Sequence, residues 1–146
     1  MNKLVTDLEL SKKLYEAGIV TDAENCYITN VDFNKIDTDK YESIFEAVKY
    51  CNDNGITKTK VVPYVEMSDS KKRRLKYCPA PIAEELLELM PEMFIDELGY
   101  HKYLEVTKIF NKYYVKYGDI EESDTKLSNA LGKMALWLKE NGYLYE

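Results

Sequence analysis

Residues 102–117 read KYLEVTKIFNKYYVKY and predict two strands joined by a tight turn. Branched and aromatic side chains dominate both runs, and such residues favour extended backbone. The polar pair Asn111-Lys112 separates the runs and is short enough for a hairpin turn. We therefore expect antiparallel strands over residues 102–110 and 113–117.

The second strand of this hairpin has two chemically different faces. Alternation places Tyr113, Val115 and Tyr117 on one face and Tyr114 with Lys116 on the other. The first set is typical of a core. The second exposes an aromatic ring beside a cation, and aromatic rings are enriched at protein interfaces. Tyr114 and Lys116 are therefore candidates for a contact with a partner protein or a second copy, although cross-strand packing alone also explains them.

Four segments carry apolar residues at helical spacing. The first follows a capping-box pattern in residues 6–9, where Thr6 and Glu9 would satisfy backbone donors, and it ends at Gly18. The third opens with Pro81 at its first helical position and ends at Pro91. The second and the fourth cover about residues 39–52 and 126–141.

The apolar stripes of these segments predict which helix faces are buried. The second helix is expected to bury Tyr41, Ile44, Phe45, Val48 and Cys51. The third is expected to bury Ile82, Leu86, Leu87 and Met90, and the last Leu127, Ala130, Leu131, Met134 and Leu138, with Trp137 beside that stripe.

Further strands are predicted over residues 26–31, 57–67 and 93–98. Pro63 has no N–H to donate, so the second of these should lie at a sheet edge or carry a bulge. Together the elements predict a single α+β domain over residues 1–146. We expect an antiparallel or mixed sheet of about five strands, with about four helices packed mainly on one face.

Composition limits the classes of function. No apolar run reaches the length of a membrane span, and the first residues lack the apolar region of a secretory signal, so we expect a cytoplasmic protein without membrane contact. Cys26, Cys51 and Cys78 form no Cys-x-x-Cys pair, and His101 has no ligand-like neighbour at helical spacing. We therefore predict reduced thiols and no metal site.

A search for catalytic and cofactor motifs predicts neither a catalytic residue nor a cofactor. No glycine-rich phosphate loop or nucleophile elbow occurs, and His101 falls in an expected turn beside Gly99 and Tyr100. Acidic residues cluster at Asp37 with Asp39 and again between residues 119 and 124. The second cluster lacks the spacing of a calcium loop and is expected to be a solvated loop before the last helix.

One segment carries a strong positive charge. Residues 71–76, KKRRLK, hold five cations and no acid, which suits a phosphate backbone or an acidic protein surface. The five cations are Lys71, Lys72, Arg73, Arg74 and Lys76. The net charge of −6 disfavours nucleic-acid binding, so a solvated loop is the simpler interpretation.

Several segments resemble a group of small uncharacterised proteins encoded in phages and prophages of gut bacteria. The segments are residues 79–91 (PAPIAEELLELMP), 114–117 (YVKY), 127–134 (LSNALGKM), 137–142 (WLKENG) and 8–18 (LELSKKLYEAG). The likeness covers about residues 4–30 and 75–144, and residues 31–67 look like a family-variable insertion. The resemblance implies a mobile-element context in a bacterial host and no particular activity.

Three functions remain open at this point. The first is a non-enzymatic accessory or interaction protein of a phage or integrated element. The second is a nucleic-acid-associated regulator that uses the basic run at residues 71–76. The third is an enzyme whose acid–base groups are carboxylates, which requires two perturbed acids in one pocket.

The basic run gives a first testable prediction. Replacing its five cations by glutamine should leave the denaturation midpoint nearly unchanged, because exposed charges contribute little to stability. A gel-shift assay should show at most weak nucleic-acid binding that is lost at physiological salt. Nanomolar binding that survives physiological salt and disappears with the cations would favour the second function instead.

Overall fold

A computed structural model gives the fold and describes residues 4–64 and 77–144. The chain is α+β, and the described residues form four α-helices and seven strands. The helices are α1 (Leu8–Glu16), α2 (Ile44–Asp53), α3 (Ala83–Leu89) and α4 (Leu127–Glu140). The strands are β1 (Asn25–Val31), β2 (Thr57–Pro63), β3 (Tyr77–Pro79), β4 (Met93–Ile95), β5 (His101–Ile109), β6 (Lys112–Tyr117) and β7 (Ile120–Asp124).

The strands form two antiparallel sheets with the orders β2-β1-β3 and β4-β5-β6-β7. The expectation of one sheet with about five strands is therefore wrong in count and arrangement. One reason is β7, which forms from the acidic residues expected to be a loop. Such a charged segment is stable as an edge strand because one side of it reaches water, and Lys116 and Lys133 pair with two of its carboxylates.

The main core lies between the four-stranded sheet and three helices, α1, α3 and α4. Phe94, Val115 and Tyr117 enter it from the sheet, and all three are buried. Tyr117 donates its hydroxyl proton to the Pro91 carbonyl, and burial raises the pKa of its phenol to about 12. Two smaller clusters lie on the three-stranded sheet, around Tyr27 and around Ile28.

Helix α4 confirms the sequence prediction for the last helix. Leu131, Met134 and Leu138 are fully buried, and Trp137 lies at the flank against Phe94. Gly132 lies inside the helix, where a Cβ would come within 2.9 Å of the Leu10 side chain. Glycine at this position therefore lets α1 approach α4 closely.

Strand β2 confirms the prediction of an edge. The Tyr64 N–H donates to the Glu24 carbonyl at 2.8 Å, so even-numbered residues of β2 turn their backbone groups toward β1. The nitrogen of Pro63 consequently points away from the ladder, where its missing N–H breaks no hydrogen bond.

Helix α2 differs from its prediction in both start and orientation. Residues Phe33–Lys35 and Thr38–Lys40 form single 3₁₀ turns, and the α-helix begins only after Ser43, whose hydroxyl accepts from the Glu46 N–H. Ile44 and Phe45 are 67% and 83% exposed.

The buried face of α2 is instead formed by Ala47 and Cys51. Their small side chains allow the helix backbone to lie close to its neighbours. The sequence analysis predicted the helical period of the apolar residues in α2 correctly, but it placed the centre of the buried face wrongly.

The beginning of α1 also differs from the expected capping box. Asp7 is the N-cap residue, and its side chain caps no backbone donor of this helix. Thr6 is buried, its hydroxyl contacts the Ser11 hydroxyl, and its carbonyl accepts from the Tyr27 hydroxyl at 2.7 Å. Thr6 is therefore part of the core and does not cap the helix. The Asp7 carboxylate makes a tertiary contact instead.

Helix α3 starts two residues later than its proline predicts. Pro81 precedes the N-cap Ile82, whose N–H donates to the Glu85 carboxylate at 3.0 Å. Leu86 and Met90 are buried as expected, whereas Leu87 is exposed.

The hairpin of β5 and β6 is confirmed, and its turn moves by one residue. Phe110 and Asn111 make the turn, with Phe110 at φ 55 and its side chain 94% exposed. The register pairs Val106 with Val115 and Ile109 with Lys112.

The contrast between α2 and α4 yields a stability prediction. Leu131→Ala should lower the free energy of unfolding by about 2–5 kcal/mol, because it opens a cavity among buried side chains. Phe45→Ala should change it by less than about 0.5 kcal/mol, because the ring already faces water. Urea denaturation measures both, and a large loss for Phe45→Ala would contradict the orientation of α2.

Candidate functional site

The four-stranded sheet has one face turned away from the helices, called here the outer face. Its position follows from alternation, since the neighbours of the buried Val115 and Tyr117 in β6 point to the opposite side. Register places the following residues on it: Met93, Ile95, His101, Tyr103, Glu105, Thr107, Ile109, Lys112, Tyr114, Lys116, Glu121 and Ser123. Tyr114 and Lys116 thus lie together on this face, as their spacing predicted.

A row of alternating charge crosses the outer face. Lys116 lies between Glu105 on β5 and Glu121 on β7, and its Nζ is 3.3 Å from Glu121 Oε1. Exposed pairs of this kind add little stability. The row places the Lys116 ammonium group beside the Glu121 carboxylate, and so it gives the surface a polar centre.

The Tyr114 ring lies beside this row and is partly buried by its neighbours. Thr107 and Ser123 flank it on the adjacent strands, and the Lys112 ammonium lies 5.8 Å from its ring centroid. Tyr103 and Ile95 are exposed on the same face. The outer face therefore combines aromatic and aliphatic surface with an ion-paired lysine, and among residues 4–64 and 77–144 no helix packs on it.

His101 lies at the edge of this face. It is the first residue of β5 and is exposed, whereas the sequence placed it in the turn. The turn closes earlier because the Asp96 carboxylate accepts from the N–H groups of Leu98 and Tyr100. The imidazole is 6.4 Å from the Tyr103 ring, centroid to centroid.

A second candidate is a polar groove between α1, β7 and α4, with a volume of about 410 Å³. Its centre is Asn129, whose side chain accepts from the Asp7 N–H at 2.9 Å and donates to the Asp7 carboxylate at 2.8 Å. Lys126 donates to the same carboxylate at 2.7 Å, and Lys133 donates to Asp124 at 2.9 Å. The side chains thus form two lysine–carboxylate pairs joined by one amide.

The pKa values of both carboxyls are lowered in this groove. The hydrogen bond from Lys126 is the main cause for Asp7, with Asn129 adding to it against partial burial. Burial acts to raise the pKa of Asp124, but the Lys126 N–H, Lys133 and Asn129 together outweigh it. Both acids are therefore held ionised, whereas a carboxyl general acid needs a raised pKa.

The groove is the feature that sequence reasoning missed. Two acids do converge there, as the enzyme hypothesis requires, but the shift of their pKa values is in the wrong direction for proton donation. The sequence did contain a sign of this groove. Asn129 and Lys133 are polar residues four positions apart on a helix with a broad buried face. Their partner Asp7 lies 122 residues away from Asn129, and sequence spacing does not reveal such a contact.

The acidic side chains of residues 119–124 do not come together in one site, because they pair with lysines in different places. Asp119 pairs with Lys102 at 3.1 Å, Glu121 with Lys116 on the outer face, and Asp124 with Lys133 in the groove. The expected loop is a turn followed by β7, whose alternation sends these carboxylates to opposite sides. The Asp37 carboxylate accepts from the Asp39 N–H and caps a 3₁₀ turn.

The three cysteines lie apart as free thiols. Cys26 and Cys51 are buried and Cys78 is partly buried, and burial raises the pKa of the Cys78 thiol. In the two described ranges, no group of three or more His, Cys, Asp or Glu side chains is placed to hold a metal ion.

The basic run at residues 71–76 falls outside the described residues. Its proposed role in nucleic-acid contact stays a prediction from sequence. None of the helices in residues 4–64 and 77–144 has the length and apolar character that crossing a membrane requires.

Comparison with known proteins identifies no relative of this chain, because no family model, curated protein or solved structure matches it.

The groove predicts a specific loss of stability in acid. Both carboxyls have folded pKa values below their unfolded values near 4, so their contribution is complete above that pH and is lost as the pH falls through the folded values. Urea midpoints should therefore drop between pH 6 and pH 2.5.

An Asp7→Asn, Asp124→Asn double variant should show a smaller drop over this range, whereas the exposed control Asp53→Asn should behave as the wild type. Equal drops in all three proteins would contradict the proposed linkage.

Proposed function

We propose that this protein is a non-enzymatic accessory protein that binds another protein through the outer face, centred on Tyr114 and Lys116. The observation that carries this proposal is the joint position of an aromatic ring and an anchored ammonium on a sheet face that no described helix covers. Tyrosine suits such a surface because its ring supplies apolar area while its hydroxyl remains hydrated.

The arrangement of charge supports a directional contact. Glu105 and Glu121 flank Lys116 on both sides, while Tyr103 and Ile95 offer apolar surface on β5 and β4. Interfaces typically combine an apolar centre with a polar rim. A partner with an apolar patch and a carboxylate placed over Lys116 would match this face.

The groove between α1, β7 and α4 supports the non-enzymatic part of the proposal. Each carboxylate in its network is neutralised by a lysine, and the Asn129 amide joins the pairs. Such a network stabilises the contact of the first and last helices. It leaves these acids ionised rather than poised for proton transfer.

The biological context is proposed to be a phage or an integrated mobile element in the cytoplasm of a bacterial host. This part depends on the resemblance of the segments around residues 79–91 and 127–142 to small phage-encoded proteins. A small accessory protein that acts by contact fits that context without needing a cofactor.

The test is a Tyr114→Ala, Lys116→Glu double variant used as bait in a phage-carrying host. Both side chains are partly exposed, and the charge reversal places a third acidic residue between Glu105 and Glu121. A thermal melt therefore first establishes that the variant is folded at the temperature of the capture experiment. We expect it to lose the protein that the wild type captures, by at least tenfold in recovered amount.

A matched control places the same two changes on α1, as Tyr15→Ala with Lys12→Glu. Both residues are exposed there, and neither lies on the outer face. The control should capture the partner as the wild type does. Equal capture by all three baits would contradict the assignment of the outer face.

A further inference from the structure

The groove between α1, β7 and α4 has a closed end and an open end. At the closed end, two lysine–carboxylate pairs and the Asn129 amide form a hydrogen-bonded network. Strand β7 leads into α4 and packs against it, so Glu122 lies about 7 Å farther from this network than Asp124 does. Glu140 lies about 10 Å from Lys133 along the axis of α4. The two glutamates therefore mark the open end.

The floor of the groove is apolar. Leu10, Leu136 and Trp137 line it, and all three are only partly buried where they pack against the main core. The rings of Phe94 and Tyr143 lie 6.1 and 5.9 Å from the Trp137 ring, centroid to centroid, and support the indole from the core side. The groove therefore offers a ligand both aliphatic surface and an aromatic ring.

The charge that remains at the rim of the groove is negative. Glu9, Glu122 and Glu140 line the groove, and within residues 4–64 and 77–144 none of the three forms an ion pair. Lys13 also lines it without an ion pair there, whereas Lys133 is already paired with an aspartate. Three carboxylates thus face one free ammonium group, and the groove favours a cation.

The size of the groove suits a small molecule. Its volume of about 410 Å³ falls within the range of roughly 300–1,000 Å³ that ligand sites occupy. A carboxylate binds an ammonium group through a charge-assisted hydrogen bond, and an indole ring attracts cations to its face. Apolar surface between such groups favours a ligand whose charges are joined by a hydrocarbon stem.

We propose that the open end of the groove binds a linear alkyl polyamine. Its ammonium groups pair with Glu122 and Glu140, and its methylene stem lies over Trp137. Because the two carboxylates are spread along the groove, they favour a ligand with separated cations over a simple amine. A metal ion matches less well, since it requires several ligands at one point, and in the described ranges no such group converges.

This site is separate from the outer face. Alternation along β7 places Glu122 on the same side of the sheet as Val115, whereas Glu121 points to the outer face beside Lys116. The inference therefore goes beyond the proposed function and does not depend on it. The Tyr114→Ala, Lys116→Glu variant should bind a polyamine as the wild type does.

The affinity should be modest and sensitive to salt. Glu9 and Glu140 are exposed and Glu122 is half-buried, and ion pairs in contact with water are weak. We expect a dissociation constant on the order of 0.1–1 mM at low ionic strength. Raising the NaCl concentration from about 20 to about 300 mM should weaken binding severalfold, because salt screens these charges.

The first experiment titrates spermidine into the wild-type protein by isothermal titration calorimetry. Trp137 is the single tryptophan of the chain, so its fluorescence in a parallel titration reports on the groove. Spermidine should give a saturable heat and a matching change in indole emission. Butylamine has one ammonium group on a similar stem and should bind at least tenfold more weakly.

Three outcomes of this titration would overturn the proposal. The first is the absence of saturable spermidine binding. The second is heat without a change in the emission of Trp137, which would place the amine elsewhere. The third is an equal response to Mg²⁺ at matched ionic strength, which would show that charge alone suffices.

The second experiment compares two double variants of equal net charge. Glu122→Gln with Glu140→Gln should raise the dissociation constant for spermidine at least tenfold. Glu16→Gln with Glu88→Gln should leave it unchanged, because both of these carboxylates are exposed and neither lines the groove. Equal losses in the two proteins would reduce the binding to general attraction by an acidic protein and overturn the assigned site.

A third comparison predicts a gain and decides the question even if the glutamine variants misfold. Lys13→Gln removes the free ammonium group from the groove, so it should tighten spermidine binding at least threefold. Lys12→Gln is the matched control, since Lys12 is exposed on the same helix and does not line the groove. Equal effects of the two lysine changes would contradict the proposal.

Discussion

The close approach of α1 to α4 at Gly132 is the constraint on which the main core depends. A Cβ at this position would lie 2.9 Å from the Leu10 side chain and 3.3 Å from that of Leu14, so these side chains would have to shift. Glycine inside a helix costs about 1 kcal/mol relative to alanine. The close contact offsets that cost by bringing the first and the last helix together over Leu14, Leu131 and Met134, which are fully buried.

This apolar contact also explains the polar groove beside it. Once α1 lies against α4, the start of α1 is next to the start of α4, and the Asp7 backbone and carboxylate both reach Asn129. Lys126 and Lys133 then neutralise Asp7 and Asp124, which would otherwise lie close together as two like charges. The network depends on tertiary packing, and its hydrogen bonds link β7 to the last helix.

The same layering leaves the opposite side of the four-stranded sheet open. All three core helices pack against one face, so the residues that alternate with Val115 and Tyr117 point to solvent. The hairpin of β5 and β6 extends past both β4 and the helices, which exposes Val106, Ile109 and Phe110. This packing arrangement thus produces the outer face on which the proposed function depends.

The sequence by itself determined the elements whose signal is local. The period of two in residues 113–117 and the apolar stripe of α4 follow from side-chain direction along a single strand or helix, and the structure confirms both. Tyr114 and Lys116 were placed on a common face for the same reason. Local patterns also predicted that the strand carrying Pro63 is an edge or carries a bulge, because a residue without an N–H is tolerated in either place, and the strand is an edge of its sheet.

Tertiary structure alone decided the remaining features, because each depends on partners that are distant in sequence. Ile44 and Phe45 have the spacing of a core stripe, yet the small residues Ala47 and Cys51 face the protein and leave the large ones in water. Residues 120–124 are acidic and suggested a loop, but β6 supplies a ladder and lysines balance the charge. Asp7 and Asn129 meet across 122 residues. A periodicity states which residues share a face, whereas the packing of the whole chain determines what that face contacts.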